Sequence, residues 1–229
     1  RDLLYAYRNR ADIGSRIIDL INRADAISNI RIQGKWASIA PYISSGIDSN
    51  KQASQIEVIS LGQNLILKNG VEFSKATWGS EKTREVFLFL VDRAPISREK
   101  VLEIFWGDKS VAQAASNFNQ TIYRLRRAIG QEIIILENQE CRLTPSFAIT
   151  YDVAIFESKV KAALTMDKGD LRRLELLTSA VELYRGDYLA NIAREWVTER
   201  RDELSTLFIN AACAYADELI GLTRYAQTR

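Results

Sequence analysis

The apolar residues of this chain change their spacing twice, and that change constrains the fold more than any single motif. Short alternating or apolar runs come first, in "IEVISLG" and "NLILKNGVEF". They are broken at Asn69-Gly70, a dipeptide that strongly favours a tight hairpin. Helical spacing then takes over. In "SEKTREVFLFLVDR" Val86, Phe87, Leu90 and Val91 share a face, and in "SREKVLEIFWGD" Val101, Leu102, Phe105 and Trp106 do the same, with Ser97 as N-cap. A third helical pattern opens at Ser110 and Gln113, the residue types of a capping box, and stops at Gly130. Strand spacing returns in "IIILENQECRLT", two apolar runs around a polar tip at Asn138 and Gln139.

After Tyr151-Asp152 only helical spacing remains. Phe156, Val160 and Leu164 make one short face, "KGD" a loop with Asp170 as N-cap, and Leu171, Leu174, Ala180, Val181 and Tyr184 a second face stopped by "RGD". Trp196, Leu204, Phe208, Ala211 and Tyr215 sustain a longer third helix. The predicted fold class is therefore α+β: an N-terminal sheet, three helices and a hairpin over 55–150, then an all-α domain over 151–229. Paired antiparallel helices of this size suggest a tetratricopeptide-like layer. Residues 1–54 read as a helical tail, with apolar positions at Leu3, Leu4, Tyr7, Ile13, Ile17, Leu20, Ile21 and Ala24, and a serine-rich linker "SSGIDSNKQASQ". The start at Arg1 and the final "GLTRYAQTR", which looks like a loop and first turn of another helix, lead us to expect a fragment with a truncated last domain.

Composition removes whole classes of chemistry. With 229 residues, 47% hydrophobic and 26% charged, the composition is neither disordered nor membrane-like, and we expect no signal peptide. It contains no histidine. Ser-His-Asp and Cys-His constellations, the commonest zinc sites and the commonest general base are thereby closed. The two cysteines, Cys141 and Cys213, lie far apart in sequence and point to a reducing cytoplasm rather than a disulfide framework. "SREK" matches the S-x-x-K pattern of serine acylases but lacks the "SDN" and "KTG" partners, and no G-K-[ST] follows the glycines of "LGQNLILKNG". We expect no enzyme, no cofactor and no metal site.

The third helix is the unusual element. On a helical wheel Ala114, Phe118, Ile122, Leu125 and Ile129 form one seam. The opposite side collects Asn117, Gln120, Arg124 and Arg127, with Thr121 and Tyr123 at its edges and Asn119 and Arg126 flanking the seam. Asparagine and glutamine can pair bidentately with adenine, and arginine with guanine or phosphate. No acidic side chain lies between Ser110 and Gln131. From the wheel alone, a solvated basic face and a reading face remain equally good accounts.

"TREVFLFLVDRAPISREKVLEIFWGD" and "NQTIYRLRRAIG" make residues 56–150 resemble the winged-helix domain of the OmpR type. "VELYRGDYLAN" followed by "EWVTERRDEL" makes residues 152–220 resemble the bacterial transcriptional activator domain. Together they resemble regulators of the Streptomyces antibiotic regulatory protein type. The resemblance implies a winged helix-turn-helix that binds double-stranded promoter DNA sequence-specifically and activates transcription, in a bacterial cytoplasm and associated with the nucleoid. Helix 111–129 would enter the major groove, with Asn117, Gln120, Thr121 and Arg124 towards the bases and nearby phosphates, Arg127 on the backbone and Tyr123 a further DNA-binding candidate. Asn138 and Arg142 would mark a wing in the minor groove, and Trp78, Ser80 and Lys82 would add phosphate contacts. Gly107, Asp108 and Lys109 would face RNA polymerase. Two departures stand out: Glu140 and Cys141 replace the wing's usual Gly-Tyr pair, and Ala115 and Ser116 stand where related domains place arginine. A weak single site would favour dimers on repeated half-sites. The rival class is a protein-interaction adaptor of a larger signalling protein, in which the winged helix binds no DNA.

Overall fold

The computed structural model describes residues 55–227 except Ser146. The expectations for residues 1–54 lie outside the described residues. Those described divide into two compact units, one of 55–155 with Arg185–Arg201, the other of Phe156–Tyr184 with the residues from Asp202 onward. The architecture is mixed α+β with a helical C-terminal part.

The first unit opens with β1 (Gln55–Ile59), β2 (Leu65–Lys68) and β3 (Val71–Glu72). β1 and β2 are antiparallel, with Val58 opposite Ile66, and both side chains are buried. Asn69 and Gly70 have φ of 52° and 79°, the two left-handed residues of a two-residue hairpin turn, as their types predict. Next come α1 (Lys75–Trp78), α2 (Glu81–Arg93), β4 (Ile96–Ser97), α3 (Arg98–Trp106) and α4 (Val111–Ala128). Ser97 caps α3 through the Lys100 N–H, and Ser110 with Gln113 forms the expected capping box of α4. A hairpin of β5 (Ile134–Glu137) and β6 (Glu140–Leu143) follows, then β7 (Ala148–Tyr151). The strands form two sheets, ordered β3-β2-β1-β7 and β4-β6-β5, with β7 parallel to β1.

α1, β4 and β7 are absent from the sequence reading. Each has four residues or fewer, too few to show a period, and each is held by a neighbour rather than by its own pattern. α2 differs in kind. Its expected single face would leave a wet side, yet the run Glu85 to Leu90 is buried throughout.

The second cover of α2 is the segment Arg185–Arg201. Trp196 meets Phe89 edge-on, with ring centroids 5.1 Å apart, and Arg194 Nε donates to Glu85 at 3.0 Å. Asp92 accepts from Arg200 Nε at 3.1 Å and from the Tyr151 hydroxyl at 3.0 Å. Burial, with the Asp92 charge nearby, holds the Tyr151 and Tyr188 hydroxyls above their ordinary pKa, so both stay protonated. The same segment lies against the end of β1, where Leu189 N–H donates to Ser60 O at 3.0 Å and Gly62 N–H to Asp187 O at 3.2 Å. Gly62 has φ of 80°, and a Cβ there would lie 2.6 Å from the carbonyl carbon of Arg185. Only glycine lets the two backbones meet.

Asp152 opens α5 (Asp152–Leu164) and fastens it to the sheet. Its Oδ2 accepts from the Ser60 and Leu61 N–H groups, both at 2.8 Å, and its Oδ1 from Val153 N–H at 2.9 Å. Burial raises the carboxyl pKa, and these amide donors oppose the rise.

The other unit is helical, built from α5 beyond Phe156, α6 (Leu171–Leu183) and the later turns of α7 (Glu195–Gln227). Tyr184 stacks on Phe208 at 4.3 Å and meets Phe156 at 5.6 Å. Leu204, Ala211 and Tyr215 are buried, as expected. Leu164 and Leu171 are not; they are 45% and 70% exposed. The buried stripe of α5 runs Phe156-Val160-Ala163, and Leu164 lies one residue, about 100° around the helix, beyond it. Asp170 caps α6 as predicted. The expected loop at "GLTRYAQTR" is corrected: α7 continues unbroken through it to Gln227.

Inside this unit Arg173 and Glu218 form a buried ion pair at 2.7 Å. Arg173 also donates to the Ala163 and Met166 carbonyls, both at 2.9 Å, and Glu218 accepts from Gly169 N–H at 2.9 Å. One pair thus closes the carbonyl end of α5, the following loop and α7. Breaking such a pair from one side costs about 3–5 kcal/mol, because the other charge stays buried. Among the described residues no helix is long and apolar enough to cross a membrane.

Asp152→Ala strips two buried N–H groups of their acceptor and should cost about 2 kcal/mol, read as a lower urea midpoint at unchanged slope. Cys141 is fully buried, which pushes its thiol up to about 11, whereas Cys213 is exposed. A disulfide reagent at pH 8 should therefore titrate Cys213 rapidly and reach Cys141 only on unfolding, as counted by released thiolate.

Candidate nucleic-acid interface

α4 is held by its seam. Ala114, Phe118, Ile122, Leu125 and Ile129 are all buried, and Phe118 meets Trp106 edge-on at 6.3 Å. Arg98 covers the other part of the Phe118 ring at 5.1 Å. Arg126, beside the seam, donates to Ile134 O at 2.9 Å and so ties α4 to the hairpin.

The opposite side is open. Gln120 and Arg127 are exposed, Tyr123 is 64% exposed, and Asn117 and Arg124 are half-buried. Asn119 is exposed as well. Thr121 is a correction: it is 6% exposed, on the buried side of the helix rather than at the edge of the polar face. The wheel explains why, since Thr121 lies only about 60° from Phe118 and neighbouring elements cover that flank.

Arg124 and Arg127 border an open groove of about 420 Å³ whose other wall is Ala76, Thr77, Trp78 and Gly79, with Ala128 at its edge. Gly79 ends α1 with φ of 68°, and a Cβ placed there would touch the Arg124 stem at 3.6 Å. Neither arginine pairs with a carboxylate among the described residues. Two cations beside the Thr77 hydroxyl form a place suited to an anion. Thr77 and Gly79 carry no signal of their own in the sequence, because α1 is a single turn.

Three residues expected near phosphate already have work within the protein. Trp78 is 2% exposed, at the end of α1 rather than in an open turn, and packs on Phe73 at 5.0 Å and Phe87 at 5.5 Å. Its indole nitrogen is buried and meets no acceptor among the described residues. Ser80 is the N-cap of α2, accepting from Thr83 N–H at 3.2 Å. Lys82 donates to Phe105 O at 3.2 Å and lies over the Trp106 ring at 5.6 Å, which places its charge at the C-terminal end of α3.

The α3–α4 turn presents Gly107, Asp108 and Lys109, all exposed, followed by Val111 at 86% exposure. Lys109 Nζ donates to Asp108 at 2.8 Å, which holds the Asp108 carboxyl below its usual range. Gly107 is required by space, since a Cβ would lie 2.6 Å from Glu103 O.

At the hairpin tip Asn138 and Gln139 have φ of 51° and 62°. The tip is exposed, and Arg142 is exposed but held by Glu140, whose Oε2 accepts from Nε at 3.0 Å and Nη2 at 2.6 Å.

Residues 151–228 match the family described as "Bacterial transcriptional activator domain". No curated protein matches the chain in sequence. In structure the chain is similar to "Mycobacterium tuberculosis EmbR in complex with low affinity phosphopeptide", at 18% identity and a TM-score of 0.60 over 77% of this chain and 48% of that one. The chain spans about half the length of that neighbour. The family match thus covers the helical part of the chain, residues 151–228, and the segment Arg185–Arg201 lies within it. The resemblance to regulators of the Streptomyces antibiotic regulatory protein type is supported by that domain together with the shared fold.

Gln139 adopts a left-handed conformation that costs a non-glycine residue about 1 kcal/mol. Gln139→Gly should therefore raise the thermal midpoint by a few degrees, about 0.5–1 kcal/mol, in a scan by circular dichroism.

Proposed function

We propose that the chain is a sequence-specific, double-stranded DNA-binding transcriptional activator whose 55–150 region is a winged helix-turn-helix and whose helix 111–129 occupies the major groove. The observation that carries this reading is the open face of α4: Asn117, Gln120, Tyr123, Arg124 and Arg127 with no acidic neighbour on the helix, beside the groove at Gly79. Gln120 and Asn117 are the adenine readers, Arg124 the guanine or phosphate contact, and Arg127 the backbone anchor. Thr121 supports the helix rather than the bases, and Trp78, Ser80 and Lys82 shape the phosphate seat from behind. The β5–β6 hairpin is the wing, with Asn138 and Arg142 towards the minor groove. The exposed turn Gly107-Asp108-Lys109, with Val111 beside it, is the surface offered to RNA polymerase. Two protomers on repeated half-sites complete the assembly, which works in the bacterial cytoplasm.

A gel-shift with a duplex selected from a randomised pool tests this. Arg124→Ala and Gln120→Ala should each weaken specific binding by roughly tenfold or more, and Arg127→Ala should weaken all duplexes alike while lowering the salt slope by about one. Failure to select any duplex, with the variants indistinguishable from the native chain, would return it to the adaptor class.

A further inference from the structure

We propose that Glu140 restrains Arg142, so that the wing contributes to DNA binding only when a phosphate displaces this carboxylate. The inference rests on the DNA-binding reading above and adds to it a residue that limits affinity. β6 is the central strand of its sheet, with β4 on one side and β5 on the other, so its side chains are held in a fixed register. Residues two apart on a strand share a face, which puts Glu140 beside Arg142. Glu137 lies directly opposite Glu140 in the β5–β6 register and joins the same face. The only cation on β5 and β6 is Arg142. The β4 residue opposite Glu140 is Ser97, which brings no charge, and the next cation, Arg98, lies over the Phe118 ring.

The exposed end of the hairpin therefore carries two carboxylates and one guanidinium, and two of the guanidinium's nitrogens already donate to a single Glu140 oxygen. A phosphate approaching this face meets net negative charge and a donor that is engaged. Both partners are substantially solvent-exposed, 57% for the arginine side chain and 41% for the glutamate. Exchange of carboxylate for phosphate is thus cheap, and the pair acts as a restraint rather than a lock.

A double-mutant cycle tests it, by fluorescence anisotropy of the full chain on its selected duplex across a series of KCl concentrations. Glu140→Gln should tighten binding about two- to fivefold and steepen the salt slope by about one. Arg142→Ala should weaken binding more in the Glu140→Gln background than in the native chain. Glu137→Gln, which removes an equal charge from the same face without releasing Arg142, should give a smaller gain and no change in the effect of Arg142→Ala. If Glu137→Gln gives as large a gain, or the two Glu140 and Arg142 effects simply add, the change is one of general charge and the restraint is overturned. Should Arg142→Ala unfold the hairpin, Arg142→Gln gives the same cycle. No binding by any variant overturns the DNA-binding reading and the restraint with it, whereas tight binding without non-additivity overturns the restraint alone.

Discussion

The unit that carries the polar helix depends on a return of the chain. Residues Arg185–Arg201 come back to cover α2 and the end of β1, and without them Phe89 and its neighbours would face water. The closest point of this return is Gly62 against Arg185 and Gly186, where backbones approach within the space of a side chain. From there the Tyr188 and Trp196 rings, 6.5 Å apart, extend the cover to Phe89 and Phe105. Phe105 neighbours Trp106, and Trp106 meets Phe118 in the seam of α4. The proposed reading helix is therefore seated on an aromatic layer whose far edge belongs, by sequence, to the activator domain.

α4 serves two opposing demands, and the structure shows how they are kept apart. Its seam is wholly apolar and buried, so the opposite face needs no contribution to stability and is free to carry Asn117, Gln120 and the arginines. Arg126 shows how fine the division is. It is adjacent to Arg127 in sequence, yet it serves the hairpin through Ile134 O, while Arg127 borders the groove. Ser80 and Lys82 are likewise engaged within the protein, Ser80 at the start of α2 and Lys82 at the end of α3.

Much of this was legible from residue spacing. The seam of α4, its capping box, the Asn69-Gly70 turn, the Asn138-Gln139 tip, and the caps at Ser97 and Asp170 all follow from local rules about backbone conformation and capping. What was not legible depends on partners distant in sequence. α2 looked one-sided because the cover supplied by Trp196 and Arg194 lies about a hundred residues away in sequence. The burial of Arg173 likewise depends on Glu218, 45 residues away in sequence, and on two carbonyls. Trp78 was expected at phosphate because it ends a one-turn helix with no period, whereas its ring packs against Phe73 and Phe87. Leu164 and Leu171 were misassigned for the opposite reason: apolar residues at helix ends fit a stripe on paper without any neighbour to bury them.

By itself the sequence determined the longer helices and the hairpin strands, where the tight turns fall, and that α4 has one apolar and one basic, acid-free side. Those properties depend on residues within a turn or two of one another, so local sterics, capping and periodicity are sufficient. Only the tertiary structure decided which polar residues are free. It buried Thr121, engaged Lys82 and Arg126 with carbonyls, paired Arg142 with Glu140, and set Arg124 and Arg127 at an open groove beside Gly79. A side chain's availability depends on what lies within a few ångströms of its tip, and in a folded chain those neighbours come from any part of the sequence.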